Sequence, residues 1–347
     1  MHIITKIKTK ETNINIRNLS IGYFLKHGKQ ILVKNNINQE LYKGEVTCLL
    51  GANGSGKSTL LRTLAGFQPS LAGEILYNNK SIQNYSDAER SLLIGLVLTD
   101  KIYAGGISVF DLVSLGRHPH TGFFGSLKKH DKQIVRNSME KVEITHKADV
   151  YVSELSDGER QKAMIAKALA QECPIILLDE PTAFLDTGSR IEIMYLLKEL
   201  AVKEQKSILL STHDIDTAIR MGDRFWLIDK NLPFTSGMPE DLIINDIFSQ
   251  FFDKKNIQFD KQTGVFQTSY KSTKDIYISG DATLCHWLGN ALKKKEFNPV
   301  EETGFPQIHC RAANEFVFEE NESAEKVCFR NIEELVCSLS YLFTHLT

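Results

Sequence analysis

Eight residues, Gly51-Ala-Asn-Gly-Ser-Gly-Lys-Ser58, have the types and spacing to hold a triphosphate. They fit G-x-x-x-x-G-K-[ST], in which backbone N–H groups turn toward the phosphates, a lysine neutralises them and a hydroxyl ligates Mg²⁺. Gly51, Gly54 and Gly56 let the backbone approach without obstruction, Lys57 and Ser58 supply the cation and the hydroxyl, and a following helix adds its positive end. A ligand-free glycine turn is the plain alternative; the Lys-Ser pair and the apolar run before the loop argue against it. Two acids, Asp179-Glu180, close the run Ile175-Ile-Leu-Leu178. Asp179 suits a contact to Mg²⁺, and Glu180 suits orientation and deprotonation of an attacking water. Two acids capping a strand end are the alternative. Ser156 to Glu159 spells a capping box, the mark of a helix start.

Elements must bring these groups to one place. Val46-Thr-Cys-Leu-Leu50 reads as a strand running into the glycine loop, and Ser58–Ala65 as the helix after it. Ile175–Leu178 and Ile208–Ser211 are apolar on both faces, as central parallel strands are. Each ends in polar residues, Asp179-Glu180 and Thr212-His213-Asp214, and Phe225–Asp229 is a further strand. Ligands of such sheets sit beyond the carboxyl ends of the strands, so these residues share one site. The alternation of strands and helices predicts an α/β fold with a parallel sheet covered by helices.

After Thr268 the character changes. The remainder holds 8 Lys/Arg against 12 Asp/Glu and none of the nucleotide motifs. Asp281 caps a helix with Leu284, Trp287, Leu288, Ala291 and Leu292 on one face. Asn331 and Glu334 start another, with Ile332, Leu335, Val336 and Leu339 on its apolar side. Gln307–Arg311, Glu315–Glu319 and Lys326–Arg330 suit short strands. The expected division is 1–268 for nucleotide binding and 269–347 for a small C-terminal α+β appendage.

Composition narrows the class. Of the 347 residues, 42% are hydrophobic and 24% charged, and the formal net charge of −2 gives no electrostatic case for a nucleic-acid partner. No run of about 18 apolar residues is present, and the N-terminus lacks the apolar core of a secretory signal. The six cysteines are scattered without a C-x-x-C pair, which predicts reduced thiols in a cytosolic protein.

The order glycine loop, Leu155-Ser-Asp-Gly-Glu159, Ile175–Pro181 resembles the ATP-binding cassette (ABC), the motor subunit of a large transporter family. The resemblance implies a P-loop NTPase fold of ABC type, binding of ATP and Mg²⁺, and ATP hydrolysis. It adds Asn53, Ser55 and Thr59 to Gly51, Gly54, Gly56, Lys57 and Ser58 as nucleotide contacts. Tyr23 matches the aromatic that stacks on adenine, although a tyrosine at a strand end is also ordinary packing. His213 matches the histidine that contacts the γ-phosphate. Pro181–Asp186 resembles the dimer-contact loop. Ser156 and Gly158 would donate to the γ-phosphate held by a second copy, so that a homodimer sandwiches two nucleotides.

There are departures. Asp157-Gly158-Glu159 stands where the family has Gly-Gly-Gln, placing two carboxylates near a phosphate, with Arg160 available to offset them. The family's glutamine after the Ile94–Leu98 strand is replaced by Thr99; Asp100 beside it could serve the metal instead.

Leu115-Gly-Arg-His-Pro-His120 resembles the ATPase subunits of importers for iron-siderophore complexes, haem and cobalamin. His118 and His120, beside a proline and without further ligands, suit a surface turn better than a metal site. Phe123-Phe124 fits a docking surface for a membrane partner or a local core contact. The implied partners are transmembrane permease subunits and, indirectly, a substrate-binding protein, with the chain peripheral on the cytoplasmic face of the inner membrane. A soluble cassette ATPase not coupled to transport would share the motifs. A P-loop kinase or transferase would lack the 155–159 signature.

Overall fold

The computed structural model describes residues 10–98, 106–122, 125–254, 257–268, 274–300, 304–322 and 324–344. It divides into two compact units, Met1–Phe252 with Asp260–Val265, and Asp253–Phe259 with Phe266–Thr347.

The first unit opens with two long antiparallel strands, β1 (Thr12–Phe24) and β2 (Gln30–Tyr42). Buried residues on β1 recur as Ile14, Ile16, then Leu19, Ile21, a phase slip in the two-residue period. The register shifts there, and Asn18 takes a left-handed φ of 46°, so a bulge returns both halves to the core side. β3 (Val46–Leu50), buried throughout, leads through the glycine loop into α1 (Lys57–Leu64). β4 (Ala72–Tyr77) comes back to β1 and carries the short β5 (Lys80–Ser81), which completes an antiparallel sheet of order β2-β1-β4-β5. This sheet was not foreseen in the sequence.

α2 (Asp87–Leu93) and β6 (Ile94–Val97) follow. Then come α3 (Val109–Ser114), a 3₁₀ turn over Leu115–His120, α4 (Lys129–Lys141) and α5 (Asp157–Ala170). α3 and α4 both pack on α5. The chain then alternates β7 (Ile175–Asp179), α6 (Thr187–Glu204), β8 (Ser207–Thr212), α7 (Ile215–Met221) and β9 (Arg224–Leu227). With the edge strand β10 (Thr235–Gly237) these give a six-stranded sheet of order β10-β9-β3-β8-β7-β6, parallel except at β10. β3, β7 and β8 are buried along their whole length, as expected of strands covered on both faces. α8 (Pro239–Ile244) and α9 (Ile247–Phe252) follow.

α1 lies between the sheets. Leu60, Leu61 and Leu64 share one core with Ile14, Ile16, Ile21, Ile75 and Tyr77 of the antiparallel sheet and Leu49, Leu177 and Leu209 of the parallel one. Burying an aliphatic side chain contributes about 1.5–3 kcal/mol, so this cluster fixes where the N-terminus of α1 points.

In the C-terminal stretch β11 (Ile257–Asp260) and β12 (Val265–Thr268) form a two-stranded ribbon. β13 (Lys274–Gly280), α10 (Ala282–Lys293) and β14 (Phe297–Val300) follow, with β13 and β14 parallel. β15 (Gln307–Ala312), β16 (Glu315–Glu319), β17 (Val327–Phe329) and α11 (Ile332–Thr344) complete a sheet of order β14-β13-β15-β16-β17 with its helices. Asp281 caps α10 through the amides of Thr283 and Leu284, and Asn331 accepts from the Glu334 amide. The core joins Ile276, Ile278, Leu288, Leu292, Phe316, Phe318, Leu335 and Leu339. Trp287, expected on the inner face of α10, is instead 61% exposed and stacks edge-on against His286. Leu288 and Leu292 are fully buried under the helix and Leu284, Cys285 and Ala291 pack beside them, while the indole lies on the flank.

Candidate functional site

The glycine loop is built for something smaller than a side chain. A Cβ on Gly51 would lie 2.1 Å from the Ile228 carbonyl oxygen, and Gly56, at φ 111°, would drive one to 2.5 Å from Val33. Neither position accepts another residue without rearrangement. Ser55 is buried, and its Oγ has no hydrogen-bond partner. Lys57 is buried too, and its Nζ donates to the carbonyls of Gly51 (2.9 Å) and Ala52 (3.3 Å). Burial lowers its pKa, while Glu180 and Asp179 pull it back up. An ammonium held by two loop carbonyls and an orphaned hydroxyl are both groups that an oxyanion would satisfy. Ser58, Asn53 and Gly54 are exposed at the mouth of the loop, and Thr59 is buried in the first turn of α1. The Tyr23 hydroxyl meets Thr59 Oγ1 at 2.7 Å, and its half-exposed ring stands at the end of β1.

The acids lie where β7 ends. Ser211, on the neighbouring β8, donates from Oγ to Asp179 Oδ1 at 2.6 Å and accepts the Glu180 amide at 2.9 Å, so one hydroxyl sets both acids. Glu180 has a left-handed backbone, φ 49°, which turns it out of the strand. Non-glycine residues adopt this conformation only where surrounding bonds enforce it, and here its amide is held by the Ser211 carbonyl as well. Glu180 Oε1 is 2.5 Å from His213 Nε2. Against a carboxylate that nitrogen must carry the proton. Glu180 and His213, with Thr182, Ala183, Arg190, Thr212 and Asp214, line a pocket of about 170 Å³. The carboxylate of Asp214 caps α7 through Thr217.

The signature segment is a capping box in full. Ser156 Oγ accepts the Glu159 amide at 3.3 Å, and Glu159 Oε2 accepts from Ser156 N and Oγ at 2.9 and 3.0 Å. Asp157 pairs with Arg160 at 2.6 Å, as the offset of charge required. Glu159 pairs with Lys147 at 3.0 Å, which nothing local in the sequence indicated. Its pKa falls to about 2, first through the Ser156 amide and then through Lys147. Asp186 caps α6 through Ser189. Among the described residues no hydrogen bond joins Ser156–Glu159 to the glycine loop or to Glu180. Thr99, Asp100, Phe123 and Phe124 lie outside the described residues.

The string Leu115–His120 has a structural explanation. A Cβ on Gly116 would sit 2.2 Å from the Lys167 carbonyl oxygen, so only glycine lets the turn lie against α5. Arg117 is buried and donates to Asp131 at 3.1 Å, the Ala170 carbonyl at 2.8 Å and Glu172 at 2.6 Å. His120 contacts the Gln171 carbonyl at 2.9 Å, and His118 is exposed. No group of three metal-ligating side chains occurs among the described residues.

Comparison with known proteins gives the family. Residues 34–183 match the ABC transporter family and residues 273–340 the iron ABC transporter C-terminal domain. An ABC transporter ATP-binding protein of Methanocaldococcus jannaschii is 36% identical over 285 residues, covering 81% of this chain and 97% of that one. The ferric enterobactin transport ATP-binding protein of Escherichia coli is 35% identical, covering 67% of this chain and 84% of that one. A dimeric ATP-binding cassette solved in a post-hydrolysis state with ADP and phosphate superposes with a TM-score of 0.57 at 26% identity, covering 65% of this chain and 98% of that one. The chain belongs to the ATP-binding subunits of ABC transporters and is an ATPase.

Proposed function

We propose that this ATPase drives uptake of ferric siderophore complexes, working as a homodimer beneath transmembrane permease subunits on the cytoplasmic face of the inner membrane. A substrate-binding protein would deliver the cargo from the other side. The observation that carries the substrate class is the second match: the segment after the cassette corresponds to the iron ABC transporter C-terminal domain. The ferric enterobactin relative supports the same class, whereas haem and cobalamin have no comparable support. No helix among the described residues is long and apolar enough to cross a membrane, so passage of the cargo falls to separate subunits.

In this reading the γ-phosphate enters the glycine loop and draws Lys57 Nζ away from the Gly51 and Ala52 carbonyls. Ser55 Oγ and the loop amides take the remaining oxygens, and Tyr23 flanks the adenine. Ser58 and Asp179 would hold Mg²⁺, which supplies charge neutralisation between the β- and γ-phosphates. Ser211 keeps Asp179 and Glu180 in register. Glu180 orients the water and takes its proton, a task its left-handed backbone suits by turning the carboxylate off the strand axis. His213 would exchange its hydrogen bond to Glu180 for one to the phosphate. Ser156 and Gly158 of the second copy would close the site. The division of the chain after Thr268 belongs to the same proposal.

The test is uptake. Disruption of the coding sequence should abolish accumulation of radiolabelled iron from a siderophore, with wild type restoring it and Glu180→Gln failing to. Unchanged iron uptake with lost cobalamin or haem uptake would transfer the proposal to that cargo.

A further inference from the structure

We propose that Lys147 is a positioning residue for ATP-driven closure: it neutralises Glu159 so that the N-terminus of α5 can receive a phosphate. The inference rests on the sandwich dimer described above. A helix N-terminus carries about half an elementary positive charge, and Asp157 and Glu159 in the first turn more than cancel it. For the isolated helix those acids are favourable, but for an incoming phosphate they are repulsive. Arg160 on the same helix answers Asp157 at 2.6 Å. Glu159 is answered from another element, by Lys147 at the end of the 3₁₀ turn Thr145–Lys147, 3.0 Å from Oε1. The four side chains then sum to zero and leave the helix end positive.

The two oxygens of Glu159 are divided between tasks. Oε2 holds the Ser156 amide and hydroxyl, and Oε1 holds Lys147. Ser156 can donate to a phosphate only by giving up Oε2, and a lysine drawing charge toward Oε1 weakens that hold. The cap itself does not require a lysine. At the start of α3 the same box forms between Ser108 and Asp111, with no ion pair to Asp111 among the described residues. The start of α2 repeats the arrangement, with Arg90 on Asp87 and Lys80 3.8 Å from Glu89 Oε1, so what is particular to Lys147 is its place, beside the helix end where the second copy's phosphate would arrive.

The experiment uses the full chain with Glu180→Gln, following ATP-dependent dimer formation by sedimentation and ATP binding to the monomer by a fluorescent analogue. Adding Lys147→Met should raise the ATP concentration for half-maximal dimer roughly tenfold, the scale of one uncompensated charge at short range with solvent screening. Monomer binding should stay unchanged. Lys147→Arg should retain dimer formation, and Glu159→Gln added to Lys147→Met should restore it. Unaltered dimer formation in Lys147→Met, or a double variant as impaired as the single one, would overturn the proposal. A Glu180→Gln protein that stays monomeric in saturating ATP would overturn the sandwich reading, and this inference with it.

Discussion

Replacing Arg117 by methionine should destabilise the nucleotide-binding unit by about 3–4 kcal/mol. The side chain is 4% exposed and the Asp131 carboxylate 9%, while Glu172 is 51% exposed. Methionine keeps most of the buried volume, so the loss is electrostatic. Removing one partner of a buried pair costs about 3–5 kcal/mol, because the other charge is left uncompensated. Asp131 retains the Lys128 amide at 3.0 Å, which places its share near the lower end, about 3 kcal/mol. The Ala170 carbonyl loses a charged donor, about 1 kcal/mol more. Half-exposed Glu172 adds close to nothing. For a unit of this size, each kcal/mol lowers Tm by roughly 2–4 °C, so scanning calorimetry should show a fall of about 6–16 °C. Asp131→Asn combined with Arg117→Met removes the stranded charge, keeps the acceptor for Lys128, and should recover more than half of the loss. A drop below about 1 kcal/mol, or a double variant no better than the single one, would refute the assignment of Arg117 as a buried electrostatic clip.

Three further outcomes follow from the same geometry. Glu180→Gln should leave ATP binding nearly intact and slow hydrolysis by roughly 10²-fold or more, measured as phosphate release; wild-type turnover would remove Glu180 from the chemistry. Because the folded state depresses Glu159 to about 2, its contribution to stability is full above the ordinary carboxylate range and is lost as pH falls through that range toward 2. Melting temperatures from pH 5 down to 2 should therefore fall less steeply in Glu159→Gln than in wild type, and parallel slopes would contradict this. Truncation after Thr268 should preserve nucleotide binding and change regulation or dimer stability, read by equilibrium titration; a folded truncation unable to bind ATP would mean the boundary is misplaced.

Local chemistry was the legible part of this chain. The glycine loop and the Ser156 cap are contiguous, and the bonds that define them close within a few residues, while Asp179-Glu180 stand out as adjacent acids after an apolar run. What the sequence hid was long-range. Lys147 and Ser211 act on Glu159 and on the two acids from other elements, and no spacing rule links them. Arg117 sits in a polar string that reads as surface, yet it is buried, since residue type alone does not set burial when partners arrive from α4 and the end of α5. The antiparallel sheet is not legible in the sequence because the bulge at Asn18 breaks the period-two pattern of β1. β14 carries Pro299, which argues against a strand until the strand is seen to lie at the sheet's edge.

The place of α1 between two sheets has a consequence for how occupancy is felt. Its first turn ends the glycine loop, and its apolar residues are packed at once against β1 and β7. Close-packed interiors transmit small displacements instead of absorbing them. A phosphate that tightens the start of α1 thus loads an antiparallel layer that contains none of the acids, and amide hydrogen exchange in β1 and β4 becomes a remote gauge of whether the loop is filled.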